Sequence, residues 1–344
     1  MRALQVVRHA RPSEALELRE IDRPEPGPGM VRIRVDAASL NFNDIDRCYG
    51  RRVTVLPPLP FTLGMDVCGE VDAAGPGAEA WLGRRVAAIT LAATGGLADY
   101  ALAPADAVFD MPPGADAAEA ATFLIPFHTM HLGLYRRARL APGEVLLIHA
   151  GASGLGMAAI QLGVAKGARV LATAGGPEKA AVCRELGAEV AIDHRSEDWS
   201  ERVLEATGGR GADVICDLVA GAFTAKSWSC IAREGRYLAA GFADDPQNGH
   251  TGVPLRPICT GNFTIVGVML AWISQPPPML RKIGFNPFGR EIADAVHGDL
   301  LRLWAEKKIR PLALRRVGLD AAAAALEAHE ARRTTGRTAV VMNR

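Results

Sequence analysis

Apolar residues follow two different spacings along this chain, and the change comes near residue 120. In the first part, short apolar runs alternate with polar residues and are separated by turn residues. Residues 31–36 (VRIRVD) alternate strictly and follow a turn cluster, EPGPGM, at residues 25–30. Alternation with a period of two is typical of strands with one buried face. With further strands predicted at residues 68–71, 85–89 and 98–103, this part of the chain predicts a compact β-rich domain.

A helical spacing begins near residue 116 and continues to residue 140, where the turn APGE (141–144) ends it. Beyond this turn, strands alternate with helices. The predicted strands are residues 145–149, 169–174, 190–193, 214–218 and 237–241. This alternation implies a parallel, doubly wound α/β sheet.

The remainder of the chain has mixed character. A strand-like segment at 264–269 precedes a proline-rich loop at 276–278, an amphipathic helix that ends near residue 306, and a last strand at 338–342. At 344 residues the chain exceeds what one hydrophobic core usually supports, so we expect two domains.

The most informative motif is a small-residue loop between an apolar strand and an alanine-rich helix predicted at 156–166. The loop contains Ala152, Ser153, Gly154, Leu155 and Gly156. Small residues let the backbone approach a diphosphate, and the helix that follows offers free N–H groups and the positive end of its dipole. The strict G-x-G-x-x-G spacing is absent, so an ordinary strand–turn–helix connection is the alternative. The second strand that follows at the distance of a βαβ unit favours dinucleotide binding.

The end of that second strand favours NADPH over NADH. Folds that bind NAD usually place an acidic residue there, but this strand ends in Ala174, Gly175 and Gly176. A carboxylate would repel a 2′-phosphate, so its absence permits one. Lys179 and His194 are candidate positive partners, with Arg195 as a further one; for Lys179 the alternative is a solvated helix lysine.

Composition and charge exclude several classes. The formal net charge of +1 argues against a strong commitment to nucleic acid or an anionic membrane. The sequence has no apolar run that could span a bilayer and no signal-peptide pattern. Six cysteines without a C-x-x-C pair are typical of reduced, mostly buried thiols in a cytoplasmic protein.

Several further motifs keep register with the loop. They are NFND (41–44), PFTLG (60–64), GEV (69–71), ATAGGPEK (172–179), RELGA (184–188), GGRGAD (208–213), GR (235–236), EKKIRP (306–311) and TGR (335–337). With them the whole chain resembles the zinc-free NADPH:quinone oxidoreductases of the medium-chain dehydrogenase/reductase superfamily. The resemblance implies a GroES-like β-rich catalytic domain (1–122), a Rossmann NADPH-binding domain (123–265) and a C-terminal segment (266–344) that completes the first domain. It also implies a homodimer joined through the Rossmann sheets near residues 263–269.

The resemblance also assigns roles to residues outside the loop. Asn41 is expected beside the nicotinamide, where its amide can donate a hydrogen bond, and Thr129 is expected to pack against the same ring. The cofactor site is expected to include Gly241, Phe242 and Arg337 as well. Asp44 and Tyr49 join Asn41 as candidate substrate contacts, although Asp44 is equally well explained as a capping carboxylate.

We predict no metal. Zinc-dependent relatives have Gly-His-Glu where this chain has Gly64, Met65 and Asp66, and they have a cysteine ligand where it has Asn41. His128 and His131 are three residues apart, but a third ligand is missing from the sequence around them.

The predicted activity is therefore hydride transfer from NADPH to a quinone or a related activated alkene, a small-molecule acceptor that needs little Lewis-acid help. Asp46 and Arg52 replace aromatic residues common in close quinone reductases, so the acceptor is left open. An enoyl-thioester or enone reductase is the second hypothesis. A non-enzymatic, crystallin-like NADPH-binding protein is the third.

Overall fold

The computed structural model describes residues 1–51, 56–245, 254–311 and 313–342. Its strands are β1 (Arg2–Val6), β2 (Leu16–Glu20), β3 (Met30–Ser39), β4 (Phe61–Thr62), β5 (Asp66–Ala74), β6 (Arg85–Ile89), β7 (Tyr100–Pro104), β8 (Val108–Asp110), β9 (Val145–Ile148), β10 (Arg169–Ala174), β11 (Val190–Asp193), β12 (Ala212–Asp217), β13 (Ile231–Ala239), β14 (Thr264–Gly267), β15 (Ala313–Val317) and β16 (Arg337–Val341).

Its α-helices are α1 (Pro12–Ala15), α2 (Phe42–Cys48), α3 (Ala117–Ala121), α4 (Leu124–His131), α5 (Gly154–Lys166), α6 (Pro177–Glu185), α7 (Trp199–Ala206), α8 (Ala222–Trp228), α9 (Leu255–Gly261), α10 (Pro278–Lys282), α11 (Arg290–Ala305) and α12 (Ala322–Glu330). Within the described residues, no helix is both long enough and apolar enough to cross a membrane.

The chain divides into two compact units. The first, here called the β-rich unit, comprises Met1–Ile125, Ala271–Leu301 and Pro311–Arg344. The second, here called the Rossmann unit, comprises Pro126–Leu270 and Arg302–Arg310. The expected domain boundaries at residues 122 and 265 stay predictions.

The Rossmann unit contains one six-stranded sheet in the order β11-β10-β9-β12-β13-β14. All of its strand pairs are parallel. In chain order this is 3-2-1-4-5-6, the arrangement of dinucleotide-binding folds, whose ligands bind where the strand order reverses. That reversal lies between β9 and β12. All four residues of β9 are buried, as expected for a central parallel strand covered on both faces.

The β-rich unit contains two sheets. A small antiparallel sheet has the order β2-β1-β4, and a larger one has the order β15-β16-β3-β5-β6-β8, with β7 also paired to β3. The apolar positions of the alternation at residues 31–36 are buried as predicted, since Val31, Ile33 and Val35 are at most 1% exposed, but Arg32 between them is buried as well, at 8%. The predicted fold class, a doubly wound parallel sheet together with a β-rich domain, is confirmed.

Three predicted elements differ from the structure. The single helical segment expected at 116–140 is divided into α3, α4 and a π-helical stretch at Leu132–Arg137. Strand β13 begins six residues earlier than predicted, at Ile231, because its first half contains the polar residues 233–236, which interrupt the apolar run that marks the rest of the strand. Helix α5 begins at Gly154 rather than Gly156, because Ser153 caps it.

Candidate functional site

The small-residue loop lies at the carboxyl end of β9, on the side of the sheet where the strand order reverses. Ser153 is the N-cap of α5, and its hydroxyl accepts a hydrogen bond from the Gly156 N–H at 3.1 Å. A Cβ atom on Gly156 would overlap the Ala150 carbonyl oxygen and lie 2.8 Å from Gly151 Cα. The helix therefore starts in direct backbone contact with the loop. Its first N–H groups, at Gly154 and Leu155, precede the intrahelical hydrogen-bond ladder and can bind an anion.

A buried histidine fixes the base of this loop. His149 Nε2 lies 2.9 Å from Ser227 Oγ, and its Nδ1 lies 3.1 Å from Thr173 Oγ1. Because the Ser227 hydroxyl donates to the Phe223 carbonyl at 2.7 Å, it accepts from Nε2, which makes His149 the Nε2–H tautomer. Burial lowers the pKa of His149 to about 4, so the ring is neutral. The sequence offered no signal for this role, because its partners lie 24 and 78 residues away.

The other side of the strand reversal is held by a buried carboxylate. Asp217, at the end of β12, accepts from the N–H groups of Val219 and Ala220 at 2.7 and 3.0 Å. The Tyr237 hydroxyl donates to its second oxygen. Gly241, a predicted cofactor residue, lies against this turn, since a Cβ atom there would be 2.6 Å from the Leu218 carbonyl oxygen.

Basic side chains border the end of the second strand. Ala174 is the last residue of β10, and a Cβ atom on the next residue, Gly175, would lie 3.2 Å from His194 Nε2 and 3.3 Å from Arg195 Nε. A carboxylate is also near: Asp193 accepts from the N–H groups of Gly176 and Arg195 at 2.8 and 3.1 Å. These backbone hydrogen bonds lower the pKa of Asp193. The end of β10 therefore has no acidic residue, as the sequence predicts, but Asp193 from the neighbouring strand β11 lies beside it.

The remaining predicted residues of the Rossmann unit have different surroundings. Lys179 is half-buried in the first turn of α6. Ala152 and Thr129, the latter in α4, are buried, whereas Phe242 is 44% exposed. The structure thus brings the loop residues and Gly241 to one edge of the sheet, with Gly175 and His194 at the neighbouring strand ends.

In the β-rich unit, Asn41 belongs to a buried polar cluster, here called the Asn41 cluster, of Ser39, Asn41, Asp66 and Arg337. Asn41 Nδ2 donates to Asp66 Oδ1 at 2.9 Å, and Asn41 Oδ1 accepts from Arg337 Nη1 at 2.7 Å. Arg337 Nη2 donates to Ser39 Oγ and to Asp66 Oδ2, the latter at 3.2 Å. Arg337, predicted to contact the cofactor, therefore directs both terminal nitrogens into this cluster. Its cofactor role stays a prediction.

Asp44 is completely buried in the first turn of α2, where its carboxylate accepts from the Asn41 N–H at 2.8 Å. This is the capping role that the sequence offered as an alternative, and substrate contact stays a prediction. Arg47 Nη1 lies 3.9 Å from Asp44 Oδ1, and neither atom has a hydrogen-bond partner among the residues that the structure describes. Burial raises the pKa of Asp44 to about 6, against the opposing effects of Arg47 and the Asn41 N–H.

Tyr49, the third candidate substrate contact, uses its hydroxyl elsewhere. It donates to Glu330 Oε2 in α12 at 3.0 Å, and the Arg51 guanidinium lies 4.2 Å from its ring centre. Substrate contact by Tyr49 stays a prediction, and it would involve the ring rather than the hydroxyl.

The described residues hold no arrangement of side chains that resembles a metal site. Across residues 1–51, 56–245, 254–311 and 313–342, no group of three or more His, Cys, Asp and Glu side chains is arranged to hold a metal ion. His128 and His131 both lie in α4 and are buried. The absence of a metal from the functional site stays a prediction.

Two family models match the chain. Residues 27–113 match the alcohol dehydrogenase GroES-like domain, and residues 154–283 match the model described as zinc-binding dehydrogenase. A quinone oxidoreductase from Pseudomonas aeruginosa is 33% identical over 333 residues, covering 95% of this chain and 96% of that protein.

Solved structures and a larger relative extend the comparison. The crystal structure of Escherichia coli quinone oxidoreductase complexed with NADPH superposes with a TM-score of 0.85 at 26% identity, covering 99% of this chain and 100% of that one. A phthioceranic/hydroxyphthioceranic acid synthase from Mycobacterium tuberculosis is 34% identical over 266 residues, or 77% of this chain. This chain spans only 12% of the length of that synthase.

A GroES-like module followed by a dinucleotide-binding sheet defines the medium-chain dehydrogenase/reductase class of oxidoreductases. Within that class, the match over nearly the full length of both proteins shows that this chain belongs to the zinc-free quinone oxidoreductase family.

Proposed function

We propose that this chain is an NADPH-dependent reductase that transfers hydride to quinones or related activated alkenes without a metal ion. The observation that carries this proposal is the small-residue loop at the strand reversal of a 3-2-1-4-5-6 sheet, in a member of the quinone oxidoreductase family. Its relatives include an oxidoreductase solved with NADPH.

The loop residues fit a dinucleotide diphosphate. The lack of a side chain at Gly156 lets the start of α5 contact the loop, and the Gly156 N–H donates a hydrogen bond to the Ser153 hydroxyl. The N–H groups of Gly154 and Leu155 would then hold the diphosphate, aided by the positive end of the helix dipole. Ala152, which is 5% exposed, adds little bulk on this side.

The basic side chains around Gly175 favour the 2′-phosphate of NADPH. His194 and Arg195 lie beside Gly175, and Lys179 is in the helix that follows it. Asp193 opposes an anion, but two backbone N–H groups already engage one of its oxygens. Hydrogen bonds to charged groups are worth about 1.5–3 kcal/mol, so we expect Arg195→Ala to weaken NADPH binding about 10- to 100-fold.

Binding of NADH, which lacks this phosphate, should change little in Arg195→Ala. Lys179→Ala tests the second cation, and Arg184→Ala, which removes an exposed arginine near the end of α6, is the matched control. Fluorescence titrations measure the dissociation constants of NADPH and NADH for the wild type and for each of the three variants. An equal loss of affinity for NADPH and for NADH would contradict the assignment of these cations to the 2′-phosphate.

When bound, NADPH supplies a hydride to a conjugated carbon of the acceptor, and a proton from solvent completes the two-electron reduction. Asn41 would offer its amide N–H to the acceptor oxygen, where negative charge develops. Thr129 would fix the nicotinamide by packing. The protein thus acts by positioning rather than by proton transfer, and Tyr49 and Asp44 would border the acceptor.

An enoyl-thioester reductase is the second candidate, supported by the match to a phthioceranic/hydroxyphthioceranic acid synthase. The two activities share the hydride step and differ in the acceptor. Steady-state NADPH oxidation with a benzoquinone, an enal and crotonyl-CoA separates them, and each assay is repeated with a chelator. Fastest turnover of the quinone, unchanged by chelator, is the expected result.

Three other outcomes would change or refute the proposal. Preference for crotonyl-CoA would establish the second candidate. Tight NADPH binding without turnover of any acceptor would favour the non-enzymatic, crystallin-like hypothesis, and loss of activity on chelation would refute the metal-free reaction.

We further propose a cytoplasmic homodimer that has no nucleic-acid or membrane partner. All six cysteines are free and five of them are buried, as expected in a reducing compartment. Strand β14 is the last strand of its sheet and could pair with the same strand of a second copy. Sedimentation of the wild-type protein and of a proline substitution at Ile265, in the middle of β14, would test the dimer.

A further inference from the structure

The Asn41 cluster places one carboxamide between two charges. Ser39 and Asp66 are completely buried, and Asn41 and Arg337 are each 5% exposed. Arg337 lies in β16, and Asp66 is the first residue of β5. The cluster is therefore assembled from separate strands of one sheet around the N-cap residue of α2.

These partners give the two ends of the Asn41 amide opposite surroundings. A guanidinium can only donate, so the atom 2.7 Å from Arg337 Nη1 must be the carbonyl oxygen. An ionised carboxylate can only accept, so the atom 2.9 Å from Asp66 Oδ1 must be the NH2 group. Rotating the amide by half a turn would place its NH2 group against the Arg337 donor and its oxygen against the Asp66 acceptor. The buried ion pair thus selects one orientation.

This orientation leaves one N–H available. The Nδ2 atom carries two hydrogens, and the first is donated to Asp66. The second has only a long contact, 3.4 Å, to the Ser39 carbonyl oxygen. A bond of that length is weak, so this hydrogen can be donated to another acceptor at little cost.

We propose that Arg337 and Asp66 are positioning residues, which hold the Asn41 carboxamide so that its second N–H is offered to the oxygen of the electron acceptor. This inference rests on the function proposed above. Arg337 would also polarise the amide by donating to its oxygen, which strengthens the N–H as a donor in a site of low dielectric. Removing either charge would free the amide to rotate and would leave the other charge buried without its partner.

The alternative is that Arg337 binds the cofactor directly. Both of its terminal nitrogens are engaged within the Asn41 cluster, so only Nε could make that contact. The two roles predict different kinetics. Direct binding predicts a higher Kd for NADPH, whereas positioning predicts a lower kcat with Kd little changed.

A double-mutant cycle tests the proposal. Arg337→Lys keeps the charge but loses the paired N–H groups, and we expect kcat to fall by up to about 100-fold, as for other misplaced catalytic groups. In the Asn41→Ala background the same change should cause no further loss, because the group that it positions is gone. Ser39→Ala, which removes one contact of Arg337, should lower kcat by a smaller factor. It takes the place of Arg337→Lys in this test if that variant does not fold.

The matched control is Arg32→Lys. Arg32 also lies in a strand of this unit, is 8% exposed and binds both oxygens of Asp72 at 3.0 and 3.2 Å. Its replacement should lower the thermal stability to a similar degree and leave kcat unchanged. Losses that multiply in the double mutant, or an equal loss of kcat in Arg32→Lys, would overturn the positioning role.

A measurement independent of turnover examines the amide itself. In the nuclear magnetic resonance spectrum, the Asn41 side-chain resonances, assigned by their loss in Asn41→Ala, should form a widely separated pair with slow solvent exchange. Arg337→Lys should collapse that separation, and Arg32→Lys should not. Averaged resonances in an active wild-type enzyme would refute the positioning, whereas the expected pair in a protein that reduces no acceptor would refute the proposed function.

Discussion

Gly156→Ala is the most direct test of the contact between the loop and α5. A Cβ atom at this position would lie 2.8 Å from Gly151 Cα, about 1 Å closer than two carbon atoms normally approach, and it would overlap the Ala150 carbonyl oxygen. All of these are backbone atoms, so no rotamer change relieves the clash. Overpacking of this kind costs about 1–3 kcal/mol, and the better helix propensity of alanine returns about 1 kcal/mol.

We therefore expect Gly156→Ala to lower the free energy of unfolding of the Rossmann unit by up to about 2 kcal/mol. Because the start of α5 must move away from the loop, hydrogen bonds to the diphosphate weaken as well, and the Kd for NADPH should rise at least about tenfold. Urea denaturation followed by tryptophan fluorescence measures the first quantity, and nucleotide titration measures the second.

Gly163→Ala is the control within the same helix. There the added Cβ would meet side-chain atoms, Leu146 Cδ2 at 2.7 Å and Val170 Cγ2 at 2.8 Å. That variant is expected to lose stability by repacking the core while it binds NADPH normally. Normal NADPH affinity in Gly156→Ala, or equal affinity losses in both variants, would refute the argument that the diphosphate lies on this backbone contact.

Three further predictions concern the same sheet edge. Ser153→Ala removes the cap of α5 and should lower stability by about 1 kcal/mol in urea denaturation, whereas Ser153→Gly should cost only a few tenths; equal losses would contradict the capping role. Tyr237→Phe leaves the buried Asp217 carboxylate without one donor and should cost about 1–3 kcal/mol by the same assay; an unchanged midpoint would show that the hydroxyl is dispensable. The pKa of His149 is lowered to about 4, so between pH 6.5 and 4 the unfolded chain binds a proton that the folded chain does not, and stability falls as the pH decreases through this window. The stability of His149→Gln should therefore decline less steeply with falling pH than that of the wild type; parallel curves of stability against pH would refute the assignment of this decline to His149.

Much of the Rossmann unit follows from local sequence. The bounds of β10 and β11 match their predicted segments, because apolar runs between turn residues report buried parallel strands directly. The loop was recognisable for the same reason, since its small residues, its cap and its helix are contiguous. Strand β13 was the exception, because its polar residues 233–236 hid the first half of the strand.

The Asn41 cluster shows the opposite case. Nothing near Asn41 in the sequence indicates that Arg337, 296 residues further along, donates to its side chain, nor that Asp66 accepts from it. Asp44 could be assigned as a cap because its partner is three residues away. The use of the Tyr49 hydroxyl by Glu330, 281 residues distant, could not be foreseen.

The order of residues alone was sufficient for the class of fold, the small-residue loop and the family, because each depends on periodicity or on neighbours within a few residues. The arrangement of charges was decided only when the chain folded. Pairing of β16 with β3 and of β3 with β5 brings Arg337 and Asp66 to Asn41, and pairing of β10 with β11 brings His194, Arg195 and Asp193 to Gly175. Hydrogen bonds and ion pairs act over a few ångströms, so their partners are set by strand register and not by distance along the chain.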